Sequence, residues 1–169
     1  MQNQEPILSD GILYFVNSKN DLYAVTCDTG KLKWEFGKDS LPNASLTITD
    51  GIIYSADSFG IIYAVDIKTG KKVWSFDSNT KTNLHHLPTS PHVVTNHIVY
   101  FGNIGGMLFA LDAKTGKKIW QVDMKDFQGG RSLQKPAFDN KNIYFANKDT
   151  LYALDLQTGA IKWNIKITQ

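Results

Sequence analysis

Apolar residues along this chain fall in short runs of four to six, rich in Val, Ile, Tyr and Phe and bounded by Gly, Asn, Asp and Thr. Runs of that length and composition read as β-strands. No stretch of eleven or more residues keeps a 3.6-residue period, so essentially no helix is expected. The runs come in groups of four. In the third group they predict strands at 92–95, 98–102, 107–112 and 118–122. Asp10-Gly11, Asp50-Gly51 and Asn96-His97 stand where the first hairpin of a group must turn. A Thr-Gly pair closes the third hairpin, its Gly supplying a positive φ without steric cost.

The groups are copies of one another. Tyr63-Ala64-Val65-Asp66-Ile67-Lys68-Thr69-Gly70-Lys71-Lys72-Val73-Trp74 returns at 109–120 and at 152–163, and in a degraded form at 23–34. Ala, Gly and Trp keep offsets of 0, +6 and +10 in every copy: Ala24, Gly30, Trp34; Ala64, Gly70, Trp74; Ala110, Gly116, Trp120; and Ala153, Gly159, Trp163. A tyrosine precedes each motif, at Tyr14, Tyr54, Tyr100 and Tyr144. The tryptophans are 40, 46 and 43 residues apart, and the variation falls in the segments that follow them. Four-stranded meanders repeated at this interval are the sequence form of a β-propeller, in which each sheet packs on the next. The fixed tryptophan, on the last strand of each unit, has the area to fasten one blade to its neighbour. The asparates at 66, 112 and 155 are expected to cap their turns through nearby backbone N–H groups.

Ala-x-Asp-x-x-Thr-Gly-x-x-x-Trp resembles the tryptophan-docking motif of the PQQ-like repeat family of β-propellers, over about residues 6 to 167. Thr26 departs from it, standing where the family usually has Asp. The resemblance implies an all-β chain, a β-propeller of four-stranded antiparallel blades. The whole of 1–169 then reads as one propeller module, with blades at about 6–38, 43–78, 90–124 and 135–167. It also implies that Trp34, Trp74, Trp120 and Trp163 each stack on the peptide between Ala and Gly of an adjacent blade. Propellers of this family usually have seven or eight blades, so four make half of an eight-bladed ring or a partial propeller. A second copy of the chain, or a longer protein around it, would complete the ring; otherwise the four blades close or stay open alone.

Composition bounds the function. The chain is 42% apolar and 20% charged, a globular rather than a disordered balance. Its net charge of +2 comes with lysines repeated around the units (Lys31, Lys71, Lys72, Lys117, Lys118, Lys162), not the clustered basic face that nucleic acid requires. No apolar run approaches the ~18 residues needed to span a bilayer as a helix. Cys27 is the single cysteine and is expected to be a half-buried strand residue. Quinone-dependent dehydrogenases of the resembling family carry a vicinal Cys-Cys disulfide and a Ca²⁺ site; one cysteine forbids the first, and no Asp/Glu/Asn cluster suggests the second. Neither a cofactor, a metal nor a catalytic residue is expected, and the chain reads as no enzyme.

The segments that differ between repeats carry the binding candidates: Asn43, His85, His86, Arg131 and Gln134. His85 and His86 are adjacent, and adjacent residues of an extended chain point to opposite faces, which disfavours a shared metal. The leading expectation is a noncatalytic scaffold for protein–protein interaction, including self-association into a homodimeric ring. The family includes a periplasmic lipoprotein of outer-membrane protein assembly, which shares the repeat type and implies an extracytoplasmic location. The alternatives are a sensor or accessory domain of a larger protein, and a fragment of a quinone-dependent dehydrogenase.

Overall fold

The computed structural model describes residues 5–17, 21–37, 46–57, 60–78, 93–103, 107–124, 136–147 and 149–167. Among them there is no helix, and the strands form four antiparallel sheets of four, each a simple meander. The first holds β1 (Ile7–Ser9), β2 (Ile12–Val16), β3 (Leu22–Thr26) and β4 (Leu32–Phe36). The second holds β5 (Thr47–Thr49), β6 (Ile52–Ala56), β7 (Ile61–Asp66) and β8 (Lys72–Asp77). The third holds β9 (Val93–Thr95), β10 (Ile98–Gly102), β11 (Met107–Asp112) and β12 (Lys118–Asp123). The fourth holds β13 (Ala137–Phe138), β14 (Asn142–Asn147), β15 (Thr150–Asp155) and β16 (Ile161–Lys166). These are four propeller blades, and the chain divides into two compact units, residues 1–88 with the first two blades and 89–169 with the last two.

One cross-strand row explains the repeat. In the first blade Tyr14 pairs with Ala24 and Ala24 with Trp34, so the three share one face. A small residue in the middle lets the flanking rings approach over it. Tyr14 and Trp34 are 5.8 Å apart between centroids and tilted by 41°. The same geometry recurs at Tyr54–Trp74 (5.9 Å), Tyr100–Trp120 (5.8 Å) and Tyr144–Trp163 (6.0 Å). Immediately after each alanine the pairing slips by a residue: Ala24 faces Trp34, yet Val25 faces Leu32. That bulge, present in all four blades, sharpens the twist where the outer hairpin closes.

Each unit has its own core between its two sheets. In the first, Tyr14, Leu22, Ala24 and Trp34 meet Ile53 and Val65, with Phe36 and Tyr63 at the margin. In the second, Tyr100, Leu108, Ala110, Trp120 and Met124 meet Ile143, Phe145, Tyr152, Leu154 and Leu156. In both, the Tyr/Ala/Trp row of one sheet lies against the opposite face of the next.

Candidate functional site: tryptophan seats and open sheet faces

A seat for an indole is built from three parts of the outer hairpin. First, the residue after the repeat Asp (after Thr26 in the first blade) is tied to the first hairpin of its own blade: Cys27 N–H to Gly11 O (2.9 Å), Ile67 N–H to Gly51 O (3.0 Å) and Leu156 N–H to Lys141 O (2.9 Å). Second, Asp66 Oδ1 accepts from the Thr69 amide (2.8 Å) and hydroxyl (2.7 Å), and Asp112 and Asp155 do the same for Thr115 and Thr158. Third, the glycine turns at positive φ and leaves its Cα bare.

Two seats are visibly filled. Trp34 Nε1 donates to Ile67 O at 3.1 Å, and a Cβ added at Gly70 would stand 2.6 Å from the indole. Trp120 Nε1 donates to Leu156 O at 3.2 Å, and a Cβ at Gly159 would stand 2.7 Å from that ring. The Tyr100 hydroxyl donates to the same Leu156 carbonyl at 2.9 Å, so both its lone pairs are used. Both glycines are required twice over, by φ values of 67° and 72° and by the ring lying on them. Trp74 is buried against Tyr54, Ala64 and Ala110 are fully buried, and Gly116 turns at φ 70°.

Trp163 differs. It keeps its contact with Tyr144 and its pairing with Ala153, yet 41% of it is exposed, against 9% for Trp34 and 8% for Trp120. Ile165 beside it is 57% exposed, although Phe36 and Val122, its repeat equivalents, pack into the cores. The first blade shows the complementary state. Gly30 has the φ of a seat (65°), but nothing lies within 4 Å of where a Cβ would be. Leu8 on the same face is 62% exposed, and Cys27 is exposed just beyond the end of β3 rather than half-buried within a strand. Its repeat equivalent Ile67 packs partly buried against the first core, whereas Cys27 is exposed.

Titration directions in these hairpins follow their hydrogen bonds. Hydrogen bonds from Thr69 and Thr115 hold Asp66 and Asp112 below the ordinary carboxylate range. Asp155 is lowered to about 2, chiefly by Lys162, 3.0 Å away. The Lys141 amide and the Tyr144 hydroxyl hold Asp139 low. Burial raises Tyr63, helped by its hydrogen bond to Asp57, and raises Tyr100 to about 12. Each of these shifts moves away from neutrality. Among the described residues no three His, Cys, Asp or Glu side chains converge as metal ligands. With a single cysteine besides, these residues do not fit a quinone–calcium centre of the dehydrogenase kind.

Asn43, His85, His86, Arg131 and Gln134 lie outside the described residues. One set of repeat residues goes beyond the sequence reading. Asn17, Asp57 and Asn103 cap the second hairpin, each accepting from the amide four residues on at 2.9–3.0 Å. The signal was present, an Asn or Asp three residues after each landmark tyrosine, with Asn147 at the fourth position.

The family model PQQ_2, described as outer membrane protein assembly factor BamB, matches residues 2–133. The chain belongs to that family. No curated protein sequence matches it. Among solved structures, BamB from Moraxella catarrhalis is similar at 20% identity and a TM-score of 0.76, over 99% of this chain and 50% of that one. The quinohemoprotein alcohol dehydrogenase ADHIIG from Pseudomonas putida HK5 is similar at 19% identity and 0.76, over 95% and 33%. The computationally designed Ika8 protein is similar at 18% and 0.72, over 97% and 49%. The chain thus spans a third to a half of the length of these structures. The likenesses establish the fold, which an assembly factor and dehydrogenases share, and so do not themselves separate binding from catalysis.

Proposed function

We propose that this chain is a noncatalytic scaffold that presents a rigid propeller surface to protein partners in an extracytoplasmic compartment. The observation that carries the reading is how its side chains are used. The repeat carboxylates are spent as acceptors inside their own turns, while large apolar side chains (Leu8, Trp163, Ile165) stand exposed on open sheet faces. Turn-locked acids serve structure, and exposed apolar faces bordered by polar residues serve protein contact. Membership of the family described by an outer-membrane assembly factor supports both the scaffold role and the compartment. The divergent segments with Asn43, His85, His86, Arg131 and Gln134 are the proposed partner-selecting rim, and self-association is a further contact of the same scaffold.

The test is affinity capture from a periplasmic fraction with the chain immobilised, beside a variant with all five rim residues changed to Ala. A partner retained by the first and lost by the second, at equal β-sheet circular dichroism, supports the reading. Retention indifferent to the rim would refute the proposed surface. Saturable binding of a quinone in an absorbance titration with Ca²⁺ would overturn the noncatalytic assignment in favour of a dehydrogenase fragment.

A further inference from the structure

We infer that the last strand of each blade carries a peripheral membrane contact, a lysine paired with an exposed aliphatic side chain at the bulge, and that these pairs take an anionic phospholipid surface. The pairs are separate in their residues from the rim proposed above and add a second surface to the scaffold.

The bulge after each repeat alanine sets two residues of the last strand against one of the third. In the first unit these are Leu32 with Lys33 and Lys72 with Val73. In the second they are Lys118 with Ile119 and Ile161 with Lys162. Every pair holds one lysine and one large aliphatic residue, and both members are exposed in each blade. The aliphatic members are 47–51% exposed. All four strands stand at the edges of their sheets. A bulge and a lysine protect an edge strand from pairing with another sheet, and an exposed aliphatic beside them works against that protection. Edge protection therefore explains one member of each pair and leaves the other, four times over, without a use.

Packing within a unit brings its two pairs together. Lys33 directly precedes Trp34, whose ring lies 2.6 Å from where a Gly70 Cβ would stand, and Lys72 follows Gly70 by two residues. Chain reach then keeps the two pairs within about 20 Å of each other. The second unit repeats this through Trp120 on Gly159, between Ile119 and Ile161.

Charge follows the same residues. The four outer hairpins (26–34, 66–74, 112–120 and 155–163) hold nine of the 18 basic residues and four of the 16 acidic ones, which leaves +5 there and −3 over the rest of the chain. Three of those four acids are bonded within their own turns, at Asp66, Asp112 and Asp155. Lys162 is tied to Asp155 at 3.0 Å, so the first unit carries the larger share of the positive charge.

An aliphatic side chain beside a lysine suits a bilayer interface. The apolar group enters the headgroup layer while the ammonium stays among the phosphates. The phosphates of nucleic acid would use the lysines alone. A protein partner reads one distinctive patch, whereas these pairs are alike in every blade and match a laterally uniform surface.

Co-sedimentation with vesicles of equal parts phosphatidylglycerol and phosphatidylcholine, beside vesicles of phosphatidylcholine alone, tests this. The chain should bind the first and not the second, and the binding should fade with added salt. Lys33→Gln/Lys72→Gln should weaken it ~10-fold or more, since each lysine near an anionic surface contributes roughly 5-fold. Leu32→Ser/Val73→Ser should weaken it too, with its salt dependence unchanged. Lys166→Gln, at the other end of β16 from the bulge, should leave it unaltered. All five positions are exposed, so β-sheet circular dichroism should stay that of the wild type.

Failure to sediment with the anionic vesicles overturns the inference, as does equal binding to both kinds. A loss from Lys166→Gln as large as that from the bulge lysines would assign the binding to net charge and overturn it also. Capture of duplex DNA or an acidic protein through the bulge lysines, with the vesicles left unbound, would give the surface to that partner instead. Rim-dependent partner capture without vesicle binding sinks this inference alone, and vesicle binding without such capture sinks the rim alone.

Discussion

Trp34, Trp120 and Trp163 are one residue type at one repeat position, yet they sit in different surroundings, and their substitution should separate them. Trp34 and Trp120 each bury an indole, a hydrogen bond and a contact with glycine. Replacing either by Ala should cost ~3–5 kcal/mol in urea unfolding, the range for a large buried aromatic. Trp163→Ala, measured in dilute solution, should cost under ~1 kcal/mol, as exposed positions generally do. Equal losses at all three would show that Trp163 is not the exposed member. Asp155 offers a second residue-scale test. Its folded carboxyl is depressed to about 2 from an ordinary 3.8, so its contribution is present above the ordinary value and fades as pH falls toward the folded one. Melting temperatures of wild type and Asp155→Asn should differ at pH 6, with the wild type higher, and converge near pH 2. A gap that persists at pH 2 would assign the stabilisation to something other than the ionised carboxylate.

At the level of strands and turns the sequence was most readable. In the third blade the expected strands at 98–102 and 107–112 coincide with β10 and β11, and the expected 118–122 gains only Asp123 in β12. Alternation and turn residues suffice there because each strand is short and bounded by a hairpin with its own chemistry. The asparagine and aspartate caps of the second hairpin were less readable, because isolated polar residues near a turn have many uses and only the bond reveals this one. One turn breaks its local rule. The first hairpins of blades one and two place Asp-Gly at positive φ, whereas the third places Asn96 at 50° and His97 at 60°. A histidine in the left-handed region costs of order 1 kcal/mol, partly offset by the chain entropy that a glycine would bring. His97→Gly should therefore raise stability by up to ~1 kcal/mol in thermal or urea unfolding. The backbone bond from the Ala113 amide to the carbonyl at position 97 should remain. A loss of stability would mean that side-chain contacts of His97 outweigh the strain.

For the molecule as a whole, the repeat was visible and its occupancy was not. Ala, Gly and Trp at constant offsets announce four hairpins of one kind, but whether an indole is covered depends on which surface lies next to it, and no offset within a repeat records that. Hence Trp163 and Gly30 match their counterparts in sequence and differ from them in exposure. The same logic governs how damage should spread. In repeat architectures stability is close to a sum of unit and nearest-neighbour terms. Trp34 and Trp120 belong to separate core clusters, one in each compact unit, that have no described residue in common. Substitutions at sites without shared partners add within about 0.5 kcal/mol. The double variant Trp34→Ala/Trp120→Ala should therefore lose the sum of the single losses, provided its unfolding stays a single transition. Hydrogen exchange supplies the spatial half of the test. Trp34→Ala should accelerate amides of β2, β3, β6 and β7 while those of β10, β11, β14 and β15 hold their wild-type rates. Coupling well beyond that margin, or exchange that quickens equally in both sets, would mean that the four blades yield as one body and that the seats act together.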